Sequence, residues 1–407
     1  MEKRRSTNVD GGTLLNSGEI YSLIANKAAT SRAAILDACG LSRVTVTQRL
    51  NELLSAGLIR ETADTMPSGG RPTRVLGLNH TAGYILAASI GESRIHLAAL
   101  DLQPAIVAQE TVAFSEKQNP QATLTLIADR FAALARGLGD ETRVLAGIGL
   151  SLPTPVDSER GCVVGPSILP GWDEFDIAAF LQTRFTAPVY VENDVNLMTI
   201  YEHRHNFPQV NEMFFIKVGT GIGSGIITGG RIFRGARGAA GDIGHIQFAG
   251  DCAPLCRCGK FGCVEARAAG WAIGRDLTQM GHQAGNARDV VALVENNVPE
   301  AIMYIRKAGQ TIGEVTSNVV SILNPSLIVV GGTLARCGEF LLSGVRELVY
   351  QRCLPLATRD LQIVLRVART DSALYGAAYL VLDEQLSSRH ADNFLTRYVD
   401  NLARSCR

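Results

Sequence analysis

One histidine and three cysteines lie close together in the second half of the chain and restrict how that region can fold. His245 is followed eleven residues later by Cys256, and Cys258 and Cys263 complete a Cys-x-Cys-x4-Cys pattern with glycines at the bends. One imidazole and three thiolates form a complete tetrahedral ligand set for Zn2+ and leave no open position for a catalytic water. The spacing therefore predicts a structural zinc site, for which Cys252 is a rival ligand.

The composition is that of a folded protein with free thiols. Nine cysteines in a chain of 407 residues indicate thiols or a metal site rather than disulfide bridges, and no signal-peptide core follows the basic N-terminus. No apolar run reaches the roughly 18 residues that a membrane span needs. We therefore expect a cytoplasmic protein of two or three domains.

The charge of the whole chain argues against a general nucleic-acid binder, but the charge of its first 80 residues does not. The 39 Lys and Arg residues balance 39 Asp and Glu residues, whereas residues 1–80 contain ten basic and seven acidic side chains. This N-terminal segment has a net charge of +3. So small an excess means that DNA affinity would also depend on base contacts and on oligomerisation.

Residues 18–60 predict three short helices, at 18–28, 32–38 and 43–56. Ser31 and Ser42 stand where their hydroxyls can accept hydrogen bonds from the free N–H groups of a first helical turn. A tight turn at Cys39-Gly40-Leu41 separates the second helix from the third. Two helices joined by a short turn and followed by strands at 58–61 and 74–78 form the winged helix-turn-helix arrangement.

The third helix has an apolar face, formed by Val46, Leu50, Leu53 and Leu54, and a polar face that can enter a major groove. The predicted DNA contacts are Ser42, Arg43, Thr45, Gln48 and Arg49 on this helix, and Arg71 and Arg74 in the wing. The alternative is a small helical cap without a DNA role. The wing arginines favour DNA binding, because they can approach phosphate or a minor groove.

From residue 83 onward, apolar strand patterns alternate with helical patterns. Strands at 84–91 and 94–100 begin one series, and strands at 212–218 and 224–228 begin a second. Two such series predict two α/β lobes with a ligand cleft between them. The expected domains are the winged helix-turn-helix at 1–80, the first lobe at 81–195, the second lobe with the zinc loop at 196–382, and a C-terminal helical tail at 383–407.

The tail contains four apolar residues that share one helical face, namely Phe394, Leu395, Tyr398 and Leu402. Such a face packs against the DNA-binding head, against a neighbouring subunit, or over the core of its own domain. The last arrangement is the commonest.

Ten glycines fall between Gly219 and Gly244, where average composition gives roughly two. The run Gly219-Thr-Gly-Ile-Gly-Ser-Gly225, called the glycine loop below, stands at a strand-to-strand turn. Residues without a Cβ let backbone N–H groups close on an anion such as phosphate. A tight hairpin is the alternative, and the residues alone favour it.

With these features the chain resembles the ROK family, which groups sugar-responsive repressors with sugar kinases, over roughly residues 14–382. The motifs that carry the resemblance are the helix-turn-helix, Leu169-Pro-Gly-Trp172, Glu192-Asn-Asp-Val-Asn196, the glycine loop, Gly241-Asp-Ile-Gly-His245, Gly262-Cys-Val-Glu265 and Val329-Val-Gly-Gly-Thr333. The resemblance implies a two-lobed, actin-like ATPase fold (ribonuclease H-like) with a sugar bound in the cleft.

The resemblance also assigns sugar contacts. Asn193 and Asp194 match the family's substrate-contacting pair, and in the kinases the carboxylate that corresponds to Asp194 accepts a proton from the sugar hydroxyl. His245 matches a zinc ligand that lies beside the sugar, and Glu265 matches another sugar contact. Without the resemblance, Asn193 and Asp194 indicate a strand-to-helix cap.

Three departures from the family pattern argue against kinase activity. The first phosphate motif has become Ser89-Ile-Gly-Glu92-Ser, so a carboxylate is lost and Glu92 places negative charge where triphosphate would bind. The usual Glu before Ile-Gly-His is the shorter Asp242. Ile168 stands where the kinases often have Asn, and Thr154 replaces a glycine.

The resulting hypothesis is a sugar-responsive transcriptional regulator, expected to be a repressor, that binds operator DNA as a homodimer or homotetramer. Its effector, a sugar or sugar derivative, would contact Asn193, Asp194, Asp242, His245 and Glu265. One alternative is an ATP-dependent sugar kinase with a DNA-binding head, in which Asp194 would be the catalytic base. Another is a repressor controlled by a protein partner, with the zinc loop and Phe261 as its docking surface.

Overall fold

The computed structural model describes residues 17–66, 73–91, 93–115, 119–139, 142–165, 169–249, 253–367, 369 and 371–405. Within these ranges the chain forms two compact units. The first unit runs to Ser151 and also contains Phe175–Val191 and the chain from Ala377, and the second contains Leu152–Glu174 and Glu192–Gly376. No helix in the described ranges is long and apolar enough to cross a lipid bilayer.

The N-terminal head is a winged helix-turn-helix, as the sequence predicts. Its elements are α1 (Gly18–Ala25), α2 (Arg32–Cys39), α3 (Arg43–Ser55), β1 (Ile59–Met66) and β2 (Thr73–Leu78). The hydroxyl of Ser31 accepts a hydrogen bond from Ala34 N, and that of Ser42 accepts one from Thr45 N, both at 3.2 Å. Gly40 adopts the left-handed conformation that ends α2, with φ of 64°.

Apolar side chains from all three helices are buried in the head. The buried set is Ile20, Tyr21, Ile24, Ile35, Val46, Leu50 and Leu53. Leu54, predicted to share this face, is only half-buried. Strands β1 and β2 pair antiparallel, with Ile59 opposite Leu78, and they form a longer wing than the sequence pattern predicts.

The remainder of the first unit is built on a five-stranded sheet. Its strands are β3 (Gly83–Ile90), β4 (Arg94–Asp101), β5 (Ile106–Ala113), β6 (Val144–Leu152) and β9 (Val189–Asn193), in the order β5-β4-β3-β6-β9. Strands β3, β4 and β5 are antiparallel neighbours, and β6 runs parallel to β3. The helices of this part are α4 (Pro120–Gly137), α5 (Ile177–Gln182), α13 (Ser372–Gln385) and α14 (Ala391–Ser405).

The C-terminal helix α14 packs against the DNA-binding head. The ring of Phe394 stacks on Tyr21 of α1, with centroids 5.8 Å apart and planes 6° from parallel. The amide of Gly18 donates to Asp392 Oδ1 at 2.7 Å, and a side chain at position 18 would collide with that carboxylate. Arg397 also donates to the carbonyl of Ala146 on β6. The tail therefore contacts both the head and the sheet of the first unit, so two of the three arrangements left open by the sequence occur together.

The second unit contains another five-stranded sheet, in the order β12-β11-β10-β13-β14. The strands of this sheet are β10 (Met213–Val218), β11 (Ile222–Thr228), β12 (Arg231–Ile232), β13 (Leu327–Gly331) and β14 (Gln362–Leu365). Two short strands of the same unit, β7 (Val156–Asp157) and β8 (Cys162–Val163), form a separate antiparallel pair. Strands β10, β11 and β12 are antiparallel neighbours, whereas β10, β13 and β14 run parallel. Each unit thus combines an antiparallel start with parallel strands, as predicted for the two α/β lobes.

Seven helices of the described residues surround this second sheet: α6 (Asp194–Asn206), α7 (Val264–Ala268), α8 (Gly270–Gln279), α9 (Ala287–Glu295), α10 (Pro299–Leu323), α11 (Glu339–Arg352) and α12 (Pro355–Thr358). The longest of these helices is α10, with 25 residues. Its buried face joins α11 and the sheet in one apolar core that includes Ile305, Ile312, Val330 and Val345.

Candidate functional site

The four predicted zinc ligands lie together in the second unit. The ligand atoms of His245, Cys256, Cys258 and Cys263 are all within 4.8 Å of one another. Cys258 Sγ is 3.7 Å from Cys263 Sγ, and Cys256 Sγ is 3.7 Å from His245 Nδ1. A tetrahedral Zn2+ with bonds of about 2.3 Å to sulfur places two sulfurs about 3.8 Å apart. The arrangement therefore fits Zn2+, while Cys252, the rival ligand, lies outside the described residues.

Tight turns and short β-bridges shape the segment that carries the three predicted cysteine ligands, residues 253–263 of the described chain, which is called the zinc loop after that prediction. Leu255 pairs with Phe261, and Gln247 pairs with Cys263. Gly262 has a φ of 78°, and a Cβ at this position would lie 2.5 Å from the carbonyl oxygen of Phe248, so that only glycine fits. Cys263 is also the residue that immediately precedes α7.

Two cysteines of the cluster, Cys256 and Cys263, favour the protonated thiol over the thiolate. Burial raises the pKa of the Cys263 thiol to about 12 and raises that of Cys256 as well. Because a metal ligand must be a thiolate, a cation bound here has to displace these protons. Cation binding and folding of the loop are therefore expected to be coupled.

Asn193 and Asp194 stand at the junction of β9 and α6. The Asn193 side chain accepts from Val195 N at 2.9 Å and donates to the carbonyl of Thr154 at 3.0 Å. It therefore forms the strand-to-helix cap that the residues alone indicate, and it joins this junction to the segment that contains Thr154. Its second amide hydrogen remains for a ligand.

Asp194 forms an ion pair with a residue that our sequence analysis did not identify. Lys217 Nζ lies 2.5 Å from Asp194 Oδ2, and the two side chains are only 27% and 16% exposed. The lysine is the one charged residue of β10, and its neighbours in register are Gly223 and Gly331. A single charge in an otherwise apolar strand was the available signal. The pair places one donor group and one acceptor group side by side.

Glu265 is fixed against the glycine loop. Its Oε2 accepts from Ile222 N at 3.0 Å, and its Oε1 accepts from Trp271 Nε1 at 3.2 Å. A Cβ at Gly221 would lie 2.6 Å from Oε2, so glycine at this position lets the carboxylate approach. Asp242 differs, because it is exposed and makes no hydrogen bond or ion pair among the described side chains.

The start of β11 brings the predicted effector-binding segments together. The backbone amide of Ile222 donates a hydrogen bond to Glu265. The carbonyl oxygen of Ile222 lies so close to Gly244, the residue before His245, that a Cβ at position 244 would collide with it. A Cβ at Gly223 would lie 2.9 Å from Val195, the residue after Asp194. The glycine loop is thus a tight hairpin that holds three of the predicted segments in contact.

The predicted DNA-reading face of α3 is accessible. Ser42, Arg43 and Gln48 are exposed, and Thr45 and Arg49 are half-buried. The hydroxyls of Ser42 and Thr45 lie 2.8 Å apart, and Gln48 donates to Glu52 at 3.3 Å. Sequence analysis missed one further residue of this face, Val44, which is 77% exposed. Its position off the apolar face of α3 was the available signal.

The wing contributes Arg74, whose guanidinium donates to Glu61 across the two strands at 3.0 Å. This arginine is 70% exposed, so it can still reach a DNA backbone. Arg71 lies outside the described residues. Of the residues that the sequence comparison with the family pattern singles out near β3, Ser89 is half-buried near the end of that strand, and Glu92 lies outside the described residues.

The fold and these sites define a class of protein in which a winged helix-turn-helix head is joined to a body of two mixed α/β sheets. Comparison with known proteins identifies the family. The ROK family matches residues 85–384, and a winged helix-turn-helix DNA-binding domain matches residues 16–60. The first match covers most of the chain, and the chain therefore belongs to the ROK family.

Two of the relatives that match most of the chain are named repressors. The chain is 25% identical over 390 residues to the xylose repressor of Caldicellulosiruptor bescii, a match that covers 92% of this chain and 96% of the relative. It is 27% identical over 377 residues to the N-acetylglucosamine repressor of Escherichia coli O6:H1, with 88% and 90% covered.

Solved structures show the same fold. A ROK family transcriptional regulator, described as a homolog of the E. coli MLC protein, has a TM-score of 0.78 at 24% identity and covers 96% of this chain and 100% of its own. The ROK hexokinase from Thermus thermophilus has a TM-score of 0.61 at 28% identity, with 73% of this chain and 97% of the hexokinase covered. A transcriptional regulator and a hexokinase thus share the fold of the ROK domain.

Proposed function

We propose that the protein is a sugar-responsive transcriptional repressor that binds operator DNA through its head and a sugar or sugar derivative through the second unit. One observation carries the proposal. A single chain combines a winged helix-turn-helix head, whose third helix is exposed, with a ROK domain that contains Asn193, Asp194, His245 and Glu265, the residues that the resemblance matches to sugar contacts. The repressors similar to this chain are named for xylose and N-acetylglucosamine, so these two sugars are the first effectors to test.

The chemistry of the site suits hydroxyl groups. Glu265 is held by two N–H donors and Asp194 by Lys217, so both carboxylates offer their remaining lone pairs in fixed directions. A rigid polar site of this kind discriminates strongly against analogues that lack a hydroxyl, because the buried acceptors are then left unpaired. The exposed Asp242 would complete the set from its turn, directly or through water.

His245, Cys256, Cys258 and Cys263 would hold a structural Zn2+. When bound, the metal would cross-link the loop to the turn that carries His245, and its closed ligand set supplies no catalytic position. Zinc stoichiometry by atomic absorption, compared with that of Cys258→Ser, tests this assignment.

The effector would act by changing the arrangement in which the heads reach DNA. A ligand shifts such an equilibrium only by its differential affinity for the two states. We propose that the protein binds as a homodimer or homotetramer, since a head with a net charge of +3 gains affinity by engaging two half-sites.

The test is a gel-shift titration with DNA from the region upstream of the protein's own gene, with and without D-xylose or N-acetylglucosamine. We expect sequence-selective binding that one sugar weakens, and loss of that response in Asp194→Asn and Glu265→Gln. Asp360→Asn, at an exposed carboxylate of the same unit, is the matched control and should respond like the wild type. Absence of any sequence-selective shift would refute the proposal.

A sugar kinase is the second candidate, and the likeness to the hexokinase and the position of Asp194 favour it. Two observations oppose it. Lys217 occupies one oxygen of the carboxylate that would have to accept the proton, and Ser89 and Glu92 replace the first phosphate motif. A coupled ADP assay over hexoses and N-acetylated hexosamines decides, since robust turnover abolished by Asp194→Asn would reverse the ranking.

Control by a protein partner is the third candidate. Leu255 and Phe261 face each other on the zinc loop and are 56% and 60% exposed, so the loop presents a small apolar surface. Calorimetry separates this case from the first, because a repressor controlled only by a protein gives no heat with sugars.

A further inference from the structure

Trp271, the second residue of α8, connects two parts of the candidate effector site. Its indole Nε1 donates to Glu265 Oε1 at 3.2 Å, and its backbone amide donates to the carbonyl of Thr220 in the glycine loop, also at 3.2 Å. The preceding residue, Gly270, donates to Gly219 O at 2.8 Å. The start of α8 is therefore bound to the glycine loop at two successive amides, and the indole is bound to the carboxylate that contacts this loop.

The two hydrogen bonds of Glu265 come from different elements and restrict its carboxylate together. Ile222 N donates to one oxygen from β11, and Trp271 donates to the other from α8. Rotation of the carboxylate breaks at least one of these bonds. Removal of the indole donor leaves Oε1 free to turn while the bond from Ile222 remains. The indole thus sets the orientation of Glu265 rather than its location.

The same indole is in contact with the zinc loop. The guanidinium carbon of Arg257 lies 4.9 Å from the centroid of the indole ring, within the range of a cation–π interaction. Arg257 stands between the ligands Cys256 and Cys258, and its side chain makes no hydrogen bond or ion pair among the described residues. The ring also packs against the small buried cluster that contains Cys256 and Cys263.

We propose that Trp271 is a positioning residue of the effector site, which orients Glu265 and makes effector affinity depend on the state of the zinc loop. The inference rests on the proposed function, because it takes Glu265 to be an effector contact. Any change in the loop that moves Arg257 alters the packing of the indole, and through its Nε1–H the orientation of the carboxylate.

Calorimetric titration of the full-length, zinc-loaded chain with D-xylose and with N-acetylglucosamine tests the inference. Trp271→Phe keeps an aromatic ring but removes the donor to Glu265, and we expect Kd for the sugar that binds to rise about tenfold. Arg257→Gln removes the zinc-loop cation from the ring and leaves the guanidinium of Arg275, which lies 5.3 Å from the same centroid, and we expect a rise of about threefold. Lys260→Gln is the matched control, because Lys260 is exposed on the same loop and carries the same charge without contacting the ring.

A second set of measurements separates positioning from a general loosening of the fold. If Trp271 acts through Glu265, Trp271→Phe adds little to the loss of affinity already caused by Glu265→Gln. Zinc content and melting temperature of Trp271→Phe should stay close to those of the wild type. A lost zinc ion, or an equal tenfold loss in the Glu265→Gln background, would show a merely structural role and overturn the proposal.

The outcomes also distinguish this inference from the proposed function. If the wild-type chain binds neither these sugars nor any member of a wider panel of pentoses, hexoses and N-acetylated hexosamines, the proposed function fails and this inference fails with it. If the wild type binds a sugar and Trp271→Phe binds it equally well, the inference alone is wrong. An effect of Lys260→Gln as large as that of Arg257→Gln also contradicts it, since loop charge would then be the cause.

Discussion

The phenolic hydroxyl of Tyr398 donates a hydrogen bond at 2.7 Å to the carbonyl of Ala56, the C-cap residue that follows the recognition helix α3. The two residues are 342 positions apart in the chain. Last-turn carbonyls of a helix have no partner within the helix, so this bond satisfies a group that would otherwise depend on solvent. The C-terminal tail therefore holds the end of the helix that we propose to read DNA.

Tyr398→Phe tests this contact. The substitution removes only the hydroxyl, and the loss of one neutral hydrogen bond should lower the free energy of unfolding by about 1 kcal/mol. Because the bond fixes the end of α3, we also expect severalfold weaker operator binding in a gel-shift titration. Tyr350→Phe, which removes a hydroxyl that donates to Leu361 O in the second unit, is the control and should leave operator binding unchanged. Equal operator affinity in both variants would contradict the assigned role of the tail.

Local signals made much of the head and of the histidine–cysteine cluster predictable. Ser31 and Ser42 cap the helices that their positions indicate, because capping depends on residues within one turn. The His245 and cysteine spacing likewise describes a loop whose ligands are near in sequence. In both cases the relevant partners are separated by few residues.

The parts that could not be predicted depend on contacts that are distant in the chain or hidden from periodicity. Helix α6 (Asp194–Asn206) is buried at every position from Val195 to His203, so beyond the cap at Asn193 no exposed face marks how far the helix extends. The partner of α14 is a head that begins over 370 residues earlier, as the Gly18 and Asp392 contact shows. Likewise, nothing adjacent to Lys217 in the sequence indicates that it pairs with Asp194.

Cys337 gives the chain a predictable loss of stability at high pH. Burial raises the pKa of this thiol from its ordinary value of 9.0 to about 12, and the nearby Glu295 adds to the rise. The folded state thus favours the protonated thiol, and this contribution is complete below pH 9 and is lost as the pH rises toward 12. At pH 10.5 the free energy of unfolding should be about 2 kcal/mol lower than at pH 8 from this group alone.

Urea unfolding of wild type and Cys337→Ala at both pH values measures this contribution. The variant loses packing at both pH values, so only the difference between pH 8 and pH 10.5 is informative. That difference should be smaller in the variant by about 2 kcal/mol. An identical alkaline loss in both proteins would show that Cys337 is not its source.

The buried carboxylate of Glu192 predicts a strong dependence on Arg234. Its side chain is 0% exposed and accepts from Arg234 Nε at 2.6 Å, from Asn193 N and from Asn196 Nδ2. Removal of the guanidinium leaves an uncompensated buried charge. Arg234→Met should therefore lower the free energy of unfolding by about 3 kcal/mol.

Adding Glu192→Gln to Arg234→Met tests this cause. The amide is uncharged and can still accept from Asn193 and Asn196, so the double variant should recover most of the lost stability in urea unfolding. A double variant that is less stable than Arg234→Met would show that the guanidinium acts through packing rather than charge. Either result also shows whether charge or packing is the main contribution of Arg234, in the loop after β12, to its contact with Glu192 of β9.

The exposed Val44 predicts a contact with a thymine methyl group. An apolar side chain that is 77% exposed near the start of α3 lies beside Arg43 and Thr45 on the face proposed to enter the major groove. Valine there would recognise the C5-methyl group of thymine by apolar contact. Val44→Ala should weaken binding to the operator several-fold, corresponding to about 1 kcal/mol.

Replacing operator thymines one at a time by uracil, which lacks the methyl group, should weaken wild-type binding at one position in each half-site. The Val44→Ala protein should be insensitive at that position, whereas Thr47→Ala, at an exposed residue whose hydroxyl is bonded to the Arg43 carbonyl, should keep the wild-type sensitivity. Uniform sensitivity of wild type and Val44→Ala at every thymine would exclude Val44 from base recognition.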